Sequence, residues 1–279
     1  MKTLSIIGAG KVGKVLGRCF QEHHLFKLTQ IHNRRVETAI SACEFIGVEN
    51  QLALADITFL RAADVWMLAV SDDQIVDVCE TLQQQQVLHA NSVIFHCSGS
   101  KASTELKAAI ACGAAIASVH PVASFADPAQ VAQQFQGTIC SVEGDQRALD
   151  VLVPALSAIG ARVVQISAES KLLYHAGSVL ASNYLVTLLD TALRAYQAAG
   201  IPAELSLAMA APLARQSMEN VFALGGAAAL TGPIARGDMQ TVMRQQMVVR
   251  HWDAKAGDLY QAFISPTEDL AELKRHSEK

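Results

Sequence analysis

One stretch near the N-terminus decides the fold of this chain: Leu4-Ser5-Ile6-Ile7-Gly8-Ala9-Gly10-Lys11-Val12-Gly13. The first four residues predict a short buried strand, because they are mostly apolar and β-branched. The glycines follow at once in a G-x-G-x-x-G pattern, and a helical pattern of apolar residues begins at Val12. A strand, a glycine turn and a helix in this order predict the opening of a βαβ unit.

Each glycine of this turn meets a physical need of a bound dinucleotide. Gly8 permits the tight turn, Gly10 lets the backbone approach a pyrophosphate, and Gly13 lets the helix pack close to the strand. The pyrophosphate then accepts from unpaired N–H groups at the positive end of the helix. We therefore predict cofactor-binding residues at Gly8, Ala9, Gly10, Lys11, Val12 and Gly13. A glycine-rich turn that holds no ligand is the alternative.

The end of the second predicted strand indicates which dinucleotide binds. An NAD site carries an acidic residue there, about 20 residues beyond the turn, to accept from the ribose hydroxyls. This chain has His32-Asn33-Arg34-Arg35 instead. A guanidinium group matches a phosphate with two parallel hydrogen bonds, so Arg34, with Arg35 or Asn33 in support, favours the 2′-phosphate of NADP over NAD. A solvated helix start is the alternative.

Hydrophobic periodicity divides the chain into two parts. Up to about Ser167, short β-branched runs alternate with helical patterns, which predicts an α/β, mainly parallel sheet of the Rossmann type. The candidate strands are Leu4–Ile7, Leu28–His32, Val65–Val70, Val93–His96, Ile116–Val119, Thr138–Val142 and Arg162–Ile166. The rest reads as helices, one of them predicted to start at Ser265-Pro266-Thr267-Glu268. We predict an NADP-binding domain at 1–167 and a helical substrate and dimerisation domain at 168–279.

Composition narrows the class of partner. The net charge is -4, and no basic stripe is present, so neither a nucleic acid nor an anionic membrane is expected as a partner. Six scattered cysteines lack metal-ligand spacing and are interpreted as reduced thiols, with no metal site. We expect no signal peptide and no transmembrane span, and hence a cytoplasmic protein with a small-molecule substrate.

The loops that follow the predicted strands are the first place to look for chemistry, because ligands bind at the carboxyl ends of parallel strands. His120, held by Pro121, is a candidate general acid or base. Asp72 and Asp73 are interpreted as a helix N-cap and a first-turn acid. Further cofactor contacts are predicted at Val70, Ser71, Ser98 and Gly99.

A long apolar segment, Ser170–Ala199, predicts a buried helix at the centre of the helical domain. Lys171, His175, Ser178 and Ser182 recur on one face of it. Buried lysine and histidine cost free energy unless they are paired or solvated, so this face predicts a lined cavity. A face turned to solvent or to a dimer partner is the alternative. The candidate catalytic and substrate-orienting residues are His120, Lys171, His175, Ser98 and Asn183, with Ser100 in support.

Several motifs resemble known families. Gly8–Gly13, Asn33-Arg34-Arg35 and Asp64–Ile75 resemble pyrroline-5-carboxylate reductases and deazaflavin-dependent NADP oxidoreductases. The whole chain resembles a narrower bacterial group, the Rossmann-like predicted oxidoreductases with a helical C-terminal domain of unknown function. The stretches that carry this resemblance are His96–Ser100, His120-Pro121, Ser124-Phe125, Tyr174–Tyr184 and Leu230–Asp238.

The resemblance implies an eight-stranded dinucleotide domain and a dehydrogenase-type helical domain that forms a homodimer, with the substrate between them. Gly99-Ser100 and His120-Pro121 are similar to prephenate dehydrogenases, in which that histidine contacts the substrate hydroxyl. Lys171 is similar to the catalytic lysine of β-hydroxyacid dehydrogenases, whose helix carries asparagine where this chain has His175.

Together these features predict hydride transfer between NADP(H) and a small carbonyl, imine or hydroxy acid. His120 or Lys171 is expected to move the proton, and Arg236 to bind an anionic group of the substrate or to cap a helix. An NADP(H)-binding redox sensor or scaffold without turnover is the alternative from another class. A structural dimer without a cofactor is a third.

Overall fold

A computed structural model describes residues 1–277 of the chain. Its first half is built on an eight-stranded sheet with the order β3-β2-β1-β4-β5-β6-β7-β8. The strands are β1 Thr3–Ile7, β2 Lys27–His32, β3 Ala53–Leu54, β4 Val65–Leu68, β5 Val93–His96, β6 Ala115–Pro121, β7 Ile139–Gly144 and β8 Arg162–Gln165. The order reverses between β1 and β4, so a crevice opens there at the carboxyl ends of the strands.

The sheet is mainly parallel, as predicted. Each pair of neighbouring strands is parallel except β6 and β7, which pair antiparallel with His120 opposite Ser141. All seven predicted strands are present. The eighth, β3, was missed because its two residues are too few to show a period.

Helices cover both faces of the sheet, which explains the continuous apolar strands. They are α1 Lys11–Glu22, α2 Val36–Ile46, α3 Ile75–Gln84, α4 Lys107–Ala111, α5 Pro128–Gln133 and α6 Gln146–Ala158. Along β4, Val65 and Met67 pack into one apolar cluster, whereas Trp66 and Leu68 pack into another. This alternation is the two-residue period of a strand that is buried on both sides.

The chain divides into two compact units, Met1–Leu180 and a second unit that begins at Ala181. The boundary follows Leu180 rather than Ser167, because helix α7, Lys171–Val179, packs within the first unit through the buried side chain of Lys171. A π-helical turn, Leu180–Tyr184, leads from α7 into the second unit.

Within the second unit the described helices are α8 Leu185–Ala198, α9 Ala203–Leu224, α10 Gly226–Ala229, α11 Met239–Trp252 and α12 Ala254–Ser277. The predicted helix start at Ser265–Glu268 is wrong, because α12 runs on through Pro266. The hydroxyl of Thr267 donates to the Phe263 carbonyl inside the helix rather than capping a new one.

The prediction of a buried central helix is also wrong for the isolated chain. In the continuous helical stretch 171–198, Lys171 is buried in α7, but Leu173 is 80% exposed and Val186 is 68% exposed. The helical stretch Lys171–Ala198 is long and apolar enough to cross a membrane, by length and composition only. A single helix of this kind is weak evidence for a membrane span. Apolar helices that stay exposed in one chain also mark surfaces that another protein covers.

Candidate functional site

The glycine turn joins the end of β1 to α1 as the sequence predicts. Gly8 has a φ of +82°, and a Cβ atom there would lie 2.6 Å from Val70 Cγ1. A Cβ atom on Gly13 would lie 2.8 Å from the Gly8 carbonyl oxygen. Gly10, by contrast, faces open space, since the nearest atom to its Cβ position is 4.0 Å away. The fold itself therefore requires Gly8 and Gly13, whereas Gly10 leaves room for a ligand beside the backbone.

A cavity of about 780 Å³ lies over this turn. Its wall contains Gly8 and Gly10, Val70 and Ser71 after β4, and His32, Asn33 and Arg34 at the end of β2. Arg35 is absent from this wall; its side chain is 77% exposed, with Nε 3.8 Å from a Glu37 oxygen. The structure thus brings Arg34, but not Arg35, to the predicted cofactor site.

Two polar groups in this cavity bear on the ligand. The side-chain nitrogen Nδ2 of Asn33 is buried and has no partner within residues 1–277. Asp56, which sequence reasoning missed, also lines the cavity, but one of its oxygens already accepts from the backbone N–H and hydroxyl of Thr58. An unpaired buried donor is costly, so Asn33 points to a ligand with acceptor atoms.

A second cavity of about 250 Å³ adjoins the first, because Ala69 and Val70 line both. Its wall continues across the carboxyl ends of the strands to Ser98, Gly99 and His120. The remaining lining residues are Val12, Asp72, Cys97, Pro121, Ala123, Phe125 and His175. The two cavities form one elongated cleft over the sheet, with Arg34 at one end and the imidazoles at the other.

Three aromatic side chains meet at the far end of the cleft. His120 Nδ1 lies 3.0 Å from the Tyr174 hydroxyl, and the ring centroids of His120 and His175 are 5.5 Å apart. Gly99 allows this approach: a Cβ atom there would collide with His175 Nδ1 and lie 2.8 Å from His120 Nε2. The buried Nδ1 atom of His175 has no hydrogen-bond partner in the described chain. Both imidazoles therefore present nitrogen atoms to the glycine loop.

His120 is neutral at physiological pH. Burial is the largest cause that lowers its pKa to about 4; Lys171 and His175 contribute to the lowering, and Asp72 opposes it. A neutral imidazole keeps one N–H donor and one acceptor nitrogen. Since a tyrosine hydroxyl can donate to Nδ1, Nε2 is then free to donate toward the cavity.

Lys171 does not line either cavity. Its side chain is 1% exposed, and Nζ donates to the Ser118 hydroxyl at 2.5 Å. Ser118 in turn donates to the Ser98 carbonyl at 3.3 Å. Burial lowers the pKa of Lys171, opposed by the nearby Glu143 carboxylate. The lysine thus lies beneath the glycine loop and connects α7 to β6, two residues before His120.

The loop after β5 is stabilised by its own hydroxyls. Ser98 Oγ accepts from the backbone N–H groups of Ser100 and Lys101 at 3.2 and 2.9 Å. The Ser100 hydroxyl donates to Asp72 at 2.6 Å. The predicted capping role of Asp72 is wrong, because Ser71 occupies the N-cap position of the short 3₁₀-helix Asp72–Gln74. Asp72 instead lines the second cavity.

The other candidates lie in the second unit. Asn183 and Ser182 are exposed there, in the π-helical turn. Arg236 is exposed in the turn before α11, and the neighbouring Asp238 caps that helix by accepting from the Thr241 N–H. The stretch Leu230–Asp238 therefore has a clear structural role as the turn and cap that start α11.

No metal cluster is present among the described residues, and all six cysteines are free thiols.

Comparisons with known proteins agree with this architecture. Residues 2–121 match the Rossmann-like domain, and residues 138–266 match the domain of unknown function DUF2520. No curated protein is significantly similar to the chain in sequence.

Solved structures share the whole fold. Protein TM1727 from Thermotoga maritima is similar over 98% of this chain and 99% of its own, with 24% identity and a TM-score of 0.74. BF3122 from Bacteroides fragilis, a candidate NADP oxidoreductase, is similar over 96% and 98%, with 17% identity and a TM-score of 0.75.

Pyrroline carboxylate reductase from Plasmodium falciparum, solved with NADP bound, is similar over 97% of this chain and 98% of its own. Its identity is 13% and its TM-score is 0.59, so the likeness is one of fold. The two family models match successive parts of the chain, so residues 2–121 are similar to a Rossmann-like domain and residues 138–266 to DUF2520.

Proposed function

We propose that this protein is an NADP(H)-dependent oxidoreductase that transfers hydride to or from a small carbonyl, imine or hydroxy acid. The observation that carries the proposal is the elongated cleft, which combines the glycine turn, Arg34 and a pair of imidazoles along one path. A mononucleotide would fill one of the two cavities and leave the other empty. The oxidoreductases of similar fold support the same class of reaction.

Arg34 and Asn33 favour NADP(H) over NAD(H). The wall of the larger cavity carries a guanidinium group at the end of β2, and a guanidinium binds phosphate more strongly than it binds a ribose hydroxyl. Of the two acids in the same wall, Asp56 already accepts from Thr58, and Asp77 lies on α3 rather than at the end of β2. Gly8, Gly10, Val70 and Ser71 contribute backbone and side-chain surface beside the dinucleotide.

When bound, the nicotinamide supplies or accepts the hydride. The chain's own contribution at the reacting end comes from His120, with Nε2–H donating to the substrate oxygen or nitrogen while Tyr174 donates to Nδ1. His175 lines the same cavity and helps to orient the substrate. Lys171 positions the loop after β5 and does not line the cavity. Its ammonium group donates to the Ser118 hydroxyl, which in turn donates to the Ser98 carbonyl.

The proposed activity is tested by following the absorbance of NADPH while the protein is offered a panel of small ketones, cyclic imines and keto acids. Oxidation of NADPH with any member supports the proposal. His120→Gln should then lower turnover about a hundredfold or more, because removing one positioned hydrogen-bond donor at the reacting group costs about 10²–10³-fold. The matched control is His89→Gln, which changes an exposed histidine outside both cavities.

A redox sensor or scaffold that binds NADP(H) without turnover is the second candidate function. The buried and ordered polar contacts of His120, Tyr174 and Lys171 favour an enzyme, because a sensor has no need of a positioned imidazole beside the cofactor. Tight NADPH binding without consumption of any panel member would favour the sensor instead.

The partner that we propose for the second unit is another copy of this chain. Large apolar side chains are exposed on several of its helices: Leu205 57%, Leu213 60%, Phe222 85%, Leu224 62%, Met247 60% and Val248 68%. A partner with a polar surface would not bury these apolar side chains, whereas a homodimer buries them on both copies. The six free thiols fit a reducing compartment such as the cytoplasm.

A further inference from the structure

We infer that the smaller cavity takes a substrate that is uncharged or cationic at its reacting group, an imine or iminium in particular, and not a carboxylate-bearing hydroxy acid or keto acid. This inference rests on the proposed function and narrows it. Asp72 is the residue that we assign to charge selection, and it lies in the cavity wall together with His120 and His175.

The charged groups in the wall of the cavity disfavour an anionic substrate. Among the residues that line it, Asp72 is the one with a carboxyl group, and no lysine or arginine is among them. His120 cannot serve as a cation, because burial lowers its pKa to about 4. A substrate carboxylate would therefore meet a carboxylate in this wall and no guanidinium or ammonium group.

The ammonium group of Lys171, close to the cavity, already has hydrogen-bond and charge partners within the protein. Lys171 is 1% exposed and donates to Ser118. The carboxylate of Glu143, itself 4% exposed, stabilises the charge of Lys171 from within the protein. An anion in the cavity would have to attract Lys171 away from these partners.

Backbone donors are committed as well. A glycine loop often binds anions through successive N–H groups. Here the N–H groups of Ser100 and Lys101 both donate to Ser98 Oγ, so the chain's own hydroxyl occupies the place of an anion. The geometry of the loop and the charge of the wall, which are independent observations, agree in disfavouring a carboxylate.

The reaction balances for a protonated imine. Hydride from the reduced nicotinamide forms the new C–H bond, the C=N⁺ π pair becomes the nitrogen lone pair, and an amine and the oxidised nicotinamide remain. An imine that is neutral in solution takes its proton from the solvent buffer before it binds, and the neutral His120 ring donates a hydrogen bond through Nε2–H without losing its proton. The Asp72 carboxylate stabilises the cationic form on which hydride transfer depends.

A binding experiment with unreactive ligands tests the charge preference without turnover. Three ligands share one ring and differ in charge: cyclopentylamine, cyclopentanol and cyclopentanecarboxylate. Each is titrated into protein saturated with NADPH, and the fluorescence of the bound nicotinamide reports binding. We expect the ammonium to bind at least about tenfold more tightly than the carboxylate, because one charge contact changes from attraction to repulsion.

Asp72→Asn keeps the shape and can still accept from Ser100, and it should abolish the preference. Asp73→Asn is the matched control, since it removes the same charge from the adjacent residue, which does not line the cavity. It should leave the preference intact. Urea unfolding of both variants verifies that they remain folded.

The inference is overturned if the carboxylate binds as tightly as the ammonium, if none of the three ligands binds at tens of millimolar, or if Asp72→Asn and Asp73→Asn have the same effect. In each of these cases the oxidation of NADPH by a keto acid would leave the proposed function standing. A protein that binds no NADPH overturns both, and a titration with NADPH alone, made before the ring ligands are added, detects this separately.

Discussion

Replacing Gly99 by alanine tests whether the two imidazoles are held at the reacting end of the cleft. The added Cβ atom would collide with His175 Nδ1 and lie 2.8 Å from His120 Nε2. Ordinary van der Waals contact begins near 3.4 Å. The His120 ring must therefore move by about 0.6 Å and the His175 ring by more, since interiors are packed too closely to absorb the methyl group.

A displacement of about 1 Å at a reacting group costs on the order of a hundredfold in rate. We expect Gly99→Ala to lower turnover by that amount, with the NADPH dissociation constant little changed, because the glycine turn at Gly8 and Gly13 is untouched. The imidazole nitrogen signals in the NMR spectrum should shift for His120 and His175 and stay in place for His96.

Gly177→Ala is the control on the same helix as His175, because a Cβ atom there meets nothing within 4 Å. It should leave turnover and the imidazole signals unchanged. Unaltered imidazole signals in folded Gly99→Ala protein, or equal turnover of the two variants, would refute the placement of these rings.

Three further outcomes are expected. Arg34→Gln should weaken NADPH binding by about 10- to 100-fold and leave NADH binding unchanged, whereas Arg35→Gln should change neither by more than a small factor; equal effects would contradict the assignment. Burial lowers the pKa of His96 from 6.5 to about 4, so the unfolded chain binds a proton that the folded chain does not, and stability falls as the pH drops from about 6.5 to 4. The loss reaches roughly 3 kcal/mol, and urea unfolding of His96→Gln should show a correspondingly shallower dependence on pH. Phe222→Asp, at a side chain that is 85% exposed, should convert a dimer to monomers in sedimentation equilibrium, and a monomeric parent protein would contradict the proposed dimer.

Much of the fold follows from the ten residues Leu4–Gly13. The glycine spacing is tied to backbone geometry, because a side chain would collide with Ala69 and Val70 after β4 at Gly8 and with the Gly8 carbonyl oxygen at Gly13, so the pattern predicts the turn reliably. Apolar strands that are buried on both faces are equally easy to predict, because continuous runs of β-branched residues are typical of such strands.

Other features escaped sequence reasoning for identifiable physical reasons. Pro266 and its neighbours satisfy the local rules of a helix start, yet packing along α12 outweighs that preference. The helix that contains Leu173 is apolar although its side chains are exposed in the single chain, and no local pattern distinguishes such a helix from one that is buried within the chain.

At the site, the residue types predicted where the side chains lie more successfully than what each side chain does there. His120 and Gly99 reach the cavity because loops at the carboxyl ends of adjacent strands must meet there. The pattern on α7 located Lys171 on the inner face but could not reveal that its ammonium group is buried against Ser118, because that contact joins residues 53 positions apart in sequence. Asp72 resembles a helix cap in sequence, and its place in the cavity wall depends on the β5 loop beside it.

The most direct test of the central claim is an equilibrium titration of the unaltered protein with NADPH and NADH, followed by the fluorescence of the bound nicotinamide. If the cleft holds NADP(H) through Arg34, NADPH binds at least about tenfold more tightly than NADH. Equal dissociation constants, or no binding of either dinucleotide, would contradict it.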